Sequence, residues 1–221
     1  EAELQYMFAM HGSREQAYAP IVGSGPNACT LHYDKNNRCM CDGDLVLIDA
    51  GCEYQMYAAD VTRTFPVNGR FSSEQKAVYD IVLRAQQTAI ERLQVGLPWQ
   101  DSHDASVRVI TEGLLDLGIL QGHLDDLIEL KAYQLFYMHR VGHWLGLDVH
   151  DVGDYQRDGR WRDLQPGMVT TVEPGIYIGS DNTTIHERWR GIGIRIEDDV
   201  LISEAGPEVL TKQAPSTIEE I

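Results

Sequence analysis

The chain has 221 residues and a formal net charge of −16, and its length suits one large domain with a buried core. So acidic a chain is a poor partner for nucleic acid or an anionic membrane surface. No apolar run reaches membrane-spanning length, and no basic segment followed by an apolar one marks a signal peptide. We therefore expect a cytoplasmic protein.

The four cysteines lie in the first quarter of the sequence and lack the Cys-x-x-Cys spacing of a zinc ribbon. They are Cys29, Cys39, Cys41 and Cys52. This pattern suggests no disulfide framework and favours reduced thiols, as is typical of the cytosol. A redox role for Cys39 and Cys41 is the alternative.

The start of the chain reads as helix, then loop, then strands. Apolar residues within 1–18 predict a piece of helix before Gly12, and residues 20–27 are rich in Gly and Pro and are expected to form a loop. Apolar runs predict three strands, at residues 30–33, 45–49 and 59–65.

The middle of the chain reads as helical. Ser72 with Gln75 three residues later predicts a capping box that opens a helix running to about residue 94. Apolar residues recur at helical spacing along it. Two further helices are predicted at residues 101–117 and 124–131.

Strands and loops return from residue 136 to about 202, and the last ten residues are polar, lack periodicity and are expected to form a tail. The order of strands, helices and strands predicts an α+β fold instead of a parallel α/β sheet. No Pro-, Ser- or Gly-rich linker divides the chain, so we expect a single domain over residues 1–221.

Four carboxylates and one imidazole lie in or beside apolar runs, where an unpaired charge is costly. They are Asp49, Asp60, His143, Glu173 and Glu197. These groups are best explained if they converge on cations, and four negative charges balance two divalent ions. The set therefore predicts a two-metal site with oxygen ligands and one nitrogen ligand.

Some of these residues have ordinary structural explanations when taken alone. Asp49 precedes Ala50 and Gly51 and could cap a turn. Arg195 and Glu197 lie two apart on one strand face and could form a cross-strand salt bridge. Only the whole set favours a site.

Three histidines within residues 136–153 strengthen that hypothesis, because neutral imidazole is a common metal ligand and hydrogen-bond donor. They are His139, His143 and His150. His32 is ambiguous on its own. The other histidines are interpreted as surface residues: His11, His103, His123 and His186.

Seven long runs, spread over residues 1–211 and in matching order, resemble the bacterial aminopeptidase P (Xaa-Pro aminopeptidase) group of the pita-bread metallopeptidases. The runs are IVGSG (21–25), LHY (31–33), LVLIDAGCEY (45–54), ADVTRTFPVNG (59–69), HWLGLDVHDVG (143–153), LQPGMVTTVEPGIY (164–177) and RGIGIRIEDDV (190–200). The resemblance implies a pita-bread fold, a pseudo-twofold antiparallel sheet with helices on its outer face.

The resemblance also implies a site with two divalent metal ions, usually manganese, with zinc or cobalt as alternatives. Asp49 would chelate one metal, Asp60 and Glu197 would bridge both, and His143 and Glu173 would bind the other. A hydroxide between the metals would be the nucleophile.

The remaining roles follow from the same resemblance. Glu173 would act as general base and then donate a proton to the leaving proline nitrogen, and His150 would stabilise the tetrahedral intermediate. His139 and His32 match histidines around the substrate. Tyr177 and Arg195 match positions that line the site near proline.

The implied activity is release of the N-terminal residue from peptides with proline in second position. The alternatives are an Xaa-Pro dipeptidase (prolidase) and a non-catalytic pita-bread binding domain. Arg140 stands where the group usually has glycine, and Gly142 stands where it often has a small hydroxyl residue. The group also has an N-terminal domain, so we expect a truncated catalytic domain whose full-length form is a homo-oligomer.

Overall fold

The computed structural model describes all 221 residues and places four α-helices among two groups of strands. The helices are α1 (Ala2–Met10), α2 (Ser73–Glu91), α3 (Gln100–Asp116) and α4 (Leu124–Glu129). The strands of the first half are β1 (Glu15–Gln16), β2 (Ile21–Ser24), β3 (Leu45–Asp49), β4 (Cys52–Tyr54), β5 (Tyr57–Ala58) and β6 (Thr62–Pro66). Those of the second half are β7 (Gln156–Arg157), β8 (Arg160–Trp161), β9 (Val169–Val172), β10 (Gly175–Ile178), β11 (Ile192–Arg195), β12 (Asp198–Ser203) and β13 (Gly206–Val209). The predicted α+β class is confirmed.

Each half of the chain contributes a three-stranded antiparallel sheet. The strand orders are β2-β3-β6 in the first half and β13-β12-β9 in the second, and β10 pairs with β11. The backbone N–H of Glu197 donates to the carbonyl of Thr62 at 3.0 Å and so links the halves. This link brings strand ends that carry acidic residues together.

Helices α2 and α3 pack on each other, and α2 packs on β10 and β11, around the largest apolar core. The capping box predicted at Ser72 and Gln75 is present. A Cβ at Gly113 would lie 2.6 Å from the side chain of Ile81, so glycine allows the two helices to approach closely. No helix combines the length and apolar character needed to cross a membrane.

Two local predictions are wrong in the first half. Residues 30–33 form a turn instead of a strand, whereas Ile21–Ser24, within the predicted loop, forms β2. Glycine and proline mask this strand in the sequence. It forms because β3 supplies a partner, with Ile21 opposite Asp49, and because Gly23 leaves room for the carbonyl of Asn27, 2.9 Å from where a Cβ would lie.

The predicted C-terminal tail is also wrong. Residues 212–221 form no helix or strand, yet Ile218 and Ile221 pack against the main core. Arg63 Nε donates to the carbonyl of Pro215 at 2.8 Å, and the Tyr79 hydroxyl donates to the backbone carbonyl of Ser216 at 2.8 Å. These long-range hydrogen bonds cannot be read from local composition.

Candidate metal centre

One cavity of about 500 Å³ is lined by all five predicted metal ligands. His32, His139, His150 and Arg195 line it as well. Tyr177 lies beneath it, buried, and its hydroxyl is 2.9 Å from His139 Nε2 and accepts a hydrogen bond from Arg195 at 3.1 Å. The structure therefore brings together all the residues singled out from the sequence.

Asp49 and Asp60 are brought together by the pairing of β3 with β6. Asp49 ends β3 and Asp60 lies just before β6, and these two strands pair antiparallel. A Cβ at Gly51 would lie 1.6 Å from the carbonyl oxygen of Ala59. Only glycine allows the chain to pass this closely, so Gly51 fixes the approach of the two carboxylates.

Tyr18 is a site residue that the sequence did not reveal. Its hydroxyl donates to Asp49 Oδ1 at 2.5 Å and also to Asp60. Burial and the neighbouring carboxylates raise the pKa of Tyr18, so the phenol keeps its proton and remains a donor. The short stretch of sequence from Glu15 to Tyr18 has no hydrophobic periodicity that would predict a buried tyrosine.

Glu197 follows β11 and is 1 % exposed. The Thr62 hydroxyl donates to its Oε2 at 2.6 Å. Burial, and then the negative charges of Asp60 and Glu173, raise its pKa well above the usual range for glutamate. Ligand atoms of Asp60, His143 and Glu197 lie within 4.8 Å of one another, so one ion could contact all three.

His143 presents a ring nitrogen to the carboxylates. Its Nδ1 lies 3.1 Å from the carbonyl of Trp144, and its Nε2 lies 3.3 Å from Asp60 Oδ2 and 3.5 Å from Glu173 Oε1. Burial lowers the pKa of His143, but Asp60 and Glu173 outweigh burial and raise it to about 8. A backbone acceptor at Nδ1 is the usual support of an imidazole that binds metal through Nε2.

Glu173 directly follows β9, and its backbone N–H donates to the carbonyl of Val141 at 2.7 Å. This bond places it beside the histidine segment. Burial raises the pKa of its carboxyl to about 7, and His143 and Arg195 oppose the rise. The pKa of Asp49 is also raised, and burial is the largest cause. Arg195, which donates to Asp49 Oδ2 at 2.5 Å, opposes the rise.

These residues fit a divalent metal. Four carboxylates share the cavity with one buried permanent cation, Arg195, while Arg140 is exposed, so negative charge is in excess. Tyr18 and Thr62 donate hydrogen bonds to three of the carboxylates. Carboxylate oxygens with one imidazole suit Mn²⁺ and related ions.

The histidines around the ligands differ in their surroundings. His150 packs edge-on against His143, with ring centroids 4.3 Å apart, and His32 lines the same cavity without a polar partner. Burial, and then the charge of Arg195, lower the pKa of His139 to about 4. Its ring is therefore neutral at physiological pH.

His103 is not the surface residue that the sequence suggests. Its Nδ1 accepts a hydrogen bond from the backbone N–H of Val141 at 3.2 Å, and burial lowers its pKa to about 4. The ring lies on the side of α3 that packs under residues 139–141, which local sequence does not show. His11, His123 and His186 are exposed, as expected.

Two further features support the ligand segments. Asp199 is buried, its Oδ2 accepts from the backbone N–H of Asp60 at 3.1 Å, and burial raises its pKa to about 7. A Cβ at Gly142 would lie 2.0 Å from the carbonyl oxygen of Thr171. Glycine therefore lets the backbone before His143 lie against β9.

Comparison with known proteins gives consistent results. The model of metallopeptidase family M24 matches residues 1–204. The chain is 53% identical over 221 residues to an Xaa-Pro aminopeptidase of Haemophilus influenzae and 52% identical to one of Escherichia coli. These matches cover 100% of this chain but 51% and 50% of the relatives, so the chain spans about half their length.

Solved structures with the same fold include the aminopeptidase PepP of Pseudomonas aeruginosa, with a TM-score of 0.98 and 57% identity. The zinc-substituted aminopeptidase P of E. coli in complex with product has a TM-score of 0.95 and 52% identity. The matches cover 99% of this chain and 50% and 49% of those chains. The expected pita-bread fold is confirmed.

Proposed function

The chain belongs to metallopeptidase family M24, and from this we propose that it catalyses release of the N-terminal residue from peptides with proline in second position. The observation that carries the proposal is the single cavity in which four carboxylates and His143 converge, flanked by His32, His139 and His150. Identity of 52–53% to Xaa-Pro aminopeptidases over the whole chain supports the substrate class.

Five residues would hold two divalent ions. Asp49 would bind one, His143 and Glu173 the other, and Asp60 and Glu197 both; we propose Mn²⁺, with Zn²⁺ or Co²⁺ as alternatives. Bound there, the cations would polarise the scissile carbonyl and make the attacking water acidic enough to react at neutral pH.

The chain's own groups would position the substrate and move the proton. Glu173 Oε2 lies 3.9 Å from His139 Nδ1 at the cavity wall, where it could take a proton from the attacking water and give it to the proline nitrogen. His150 would donate a hydrogen bond to the carbonyl oxygen as negative charge develops there.

Proline would be bound by groups on the far side of the ligands. His139 and Arg195 are both hydrogen-bonded to Tyr177, which keeps their side chains in place at the cavity wall. His32 and Leu31 also line the cavity. Proline has a fixed φ and its nitrogen carries no hydrogen once it is bonded to the preceding residue, so its recognition needs a pocket of matching shape.

We further propose that residues 1–221 are the catalytic domain, that the longer protein is a cytoplasmic homo-oligomer, and that its partners are peptides. The resemblance to the aminopeptidase P group supports each statement.

The test combines metal analysis with two substrates. After incubation with Mn²⁺ and desalting, we expect about two ions per chain by mass spectrometry and hydrolysis of Ala-Pro-Ala to Ala and Pro-Ala. A longer form that spans the full length of the relatives should be tested in parallel. Preference for the dipeptide Ala-Pro in both forms would assign the chain to the prolidases instead.

A further inference from the structure

The active-site cavity is lined by two basic side chains, Arg140 and Arg195, and by no lysine. Arg195 is 3 % exposed and each of its nitrogens is already used. Nε donates to Thr62 at 3.2 Å, Nη1 to Tyr177 at 3.1 Å and Nη2 to Asp49 at 2.5 Å. A substrate carboxylate could bind Arg195 only by displacing one of these buried partners.

Arg140 has the opposite surroundings. Its side chain is exposed, and its guanidinium lies 4.8 Å above the ring of Trp161. Nη1 donates to Gln100 Oε1 at 3.1 Å, while Nε and Nη2 have no partner in the chain. The aromatic ring and the amide hold the group in place. A planar fork with a free edge is well suited to a carboxylate.

Arg140 also lies where three cavities meet. It lines the active-site cavity, a groove of about 860 Å³ beside α3 and α4, and a groove of about 640 Å³ that shares His143 and His150 with the site. A peptide that leaves the active site through either groove passes this guanidinium.

The charge of the larger groove supports the same ligand. Four basic residues line it beside three acidic ones, in a chain whose net charge is −16. The basic residues are Arg92, Arg108, Lys131 and Arg140. This wall therefore repels a carboxylate less than the rest of an acidic surface does.

We propose that Arg140 determines specificity by binding a carboxylate of the substrate beyond the proline. The carboxylate is either the C-terminus of a short peptide or an acidic side chain. The inference rests on the proposed function. A carboxylate site at Arg140 favours peptides longer than a dipeptide, because Arg140 lies at the rim of the cavity. Arg195, the inner cation, is already paired with Asp49.

Two pairs of peptides distinguish the sources of the carboxylate. Ala-Pro-Ala and its C-terminal amide differ only in the terminal charge, and Ala-Pro-Asp-amide and Ala-Pro-Asn-amide differ only in the side chain. We expect the Mn²⁺-loaded enzyme to prefer the acid in at least one pair by about tenfold in kcat/KM, mainly through KM. Preference in the first pair assigns the C-terminus, and preference in the second assigns the side chain.

The ratio of acid to neutral peptide should fall to about one in Arg140→Gln. Arg188→Gln is the matched control, because Arg188 also stacks on a tryptophan, 4.9 Å above Trp189, but lines none of the three cavities. It should keep the wild-type ratio.

Equal rates within both pairs, or a preference that Arg140→Gln retains, would overturn the inference and leave the proposed function standing. Failure of the wild-type enzyme to cleave any of the four peptides would overturn both.

Discussion

Two buried arginine–aspartate pairs lie on neighbouring strands, and their surroundings differ. Arg195 pairs with Asp49 in the cavity, where three further carboxylates face one another. Arg63 pairs with Asp198 at 2.7 Å, on the other side of Glu197 from the cavity ligands. We call Arg63, Asp198 and the groups that bond to them the arginine clamp.

The clamp is fully partnered. Arg63 also donates to the carbonyls of Thr62, Glu197, Ala214 and Pro215, and Asp198 also accepts from Gln86 and Thr211. Its charges balance, whereas those of the cavity do not. Because a buried charge without compensation is costly, excess negative charge points to a cation, and a balanced pair points to structural support.

The largest expected effect comes from Glu173→Gln, which should lower kcat by about a hundredfold or more because the proton carrier is lost. Its melting temperature in EDTA should stay equal to the wild-type value or rise, since one carboxylate is removed from a set with excess negative charge. Differential scanning fluorimetry and hydrolysis of Ala-Pro-Ala measure the two effects. Glu208→Gln, exposed on β13, is the control.

Destabilisation of the metal-free protein by Glu173→Gln would contradict this distinction between the cavity and the arginine clamp. The carboxylate would then stabilise the fold, and the excess charge would not indicate a cation.

The clamp should behave in the reverse way. Arg63→Met leaves Asp198 buried without its cation and should cost about 3–5 kcal/mol of stability, measured by urea unfolding. Arg38→Met is the control, because the Arg38–Asp44 pair is part-exposed, with 32% of the Arg38 side chain accessible, and solvent-exposed pairs contribute little to stability. Equal losses in the two variants would contradict the distinction.

The charge excess should also appear as a pH dependence of the metal-free protein. The pKa of His143 rises from 6.5 to about 8, and that of Glu173 from 4.5 to about 7. The folded state therefore keeps protons that the unfolded chain releases, on Glu173 between pH 4.5 and about 7 and on His143 between pH 6.5 and about 8, so each group makes stability fall as pH rises through its own range. His103 and His139, lowered from 6.5 to about 4, act in the opposite direction but only below pH 6.5.

Thermal unfolding in EDTA at pH 6.5 and at about pH 8.5 should show a loss of about 1–2 kcal/mol. Mn²⁺ should reduce the loss, since the metal takes the place of the protons. Glu173→Gln should make the slope shallower, whereas Arg38→Met should not change it. A flat profile in EDTA would mean that the cavity carboxylates and His143 do not share protons.

The sequence predicted which side chains meet in the cavity, because the four acidic ones lie at or beside the ends of apolar strands. Asp49 and Glu197 stand at strand ends, where a charge has no ordinary reason to be buried, and long motifs gave their order. The helix opened by Ser72 was predicted for the same kind of reason, since its cap and spacing are local.

What the sequence did not predict depends on distant contacts. Strand β2 needs β3 beside it, the C-terminal segment needs Arg63, and the half-buried His103 accepts a hydrogen bond from the distant Val141. Tyr18 lies 31 and 42 positions from the two aspartates it contacts. Contacts between such distant positions cannot be predicted from local composition.

Tyr18 provides the smallest and most selective test of the comparison. Tyr18 lines the cavity, and its hydroxyl is the only donor that contacts both Asp49 and Asp60. Tyr18→Phe keeps the ring and removes this donor, so the two carboxylates lose their shared alignment. Loss of such an outer partner weakens metal binding by about 10–100-fold, and we expect the lower end because Arg195 still holds Asp49.

Tyr33→Phe is the matched control, because Tyr33 lines the same cavity but its hydroxyl donates to Asn37 at 3.1 Å. Calorimetric titration of each metal-free variant with Mn²⁺ measures the difference. If Tyr18→Phe and Tyr33→Phe bind Mn²⁺ equally well, the aspartates are aligned by β3 and β6 alone, and the cavity is preorganised by its backbone.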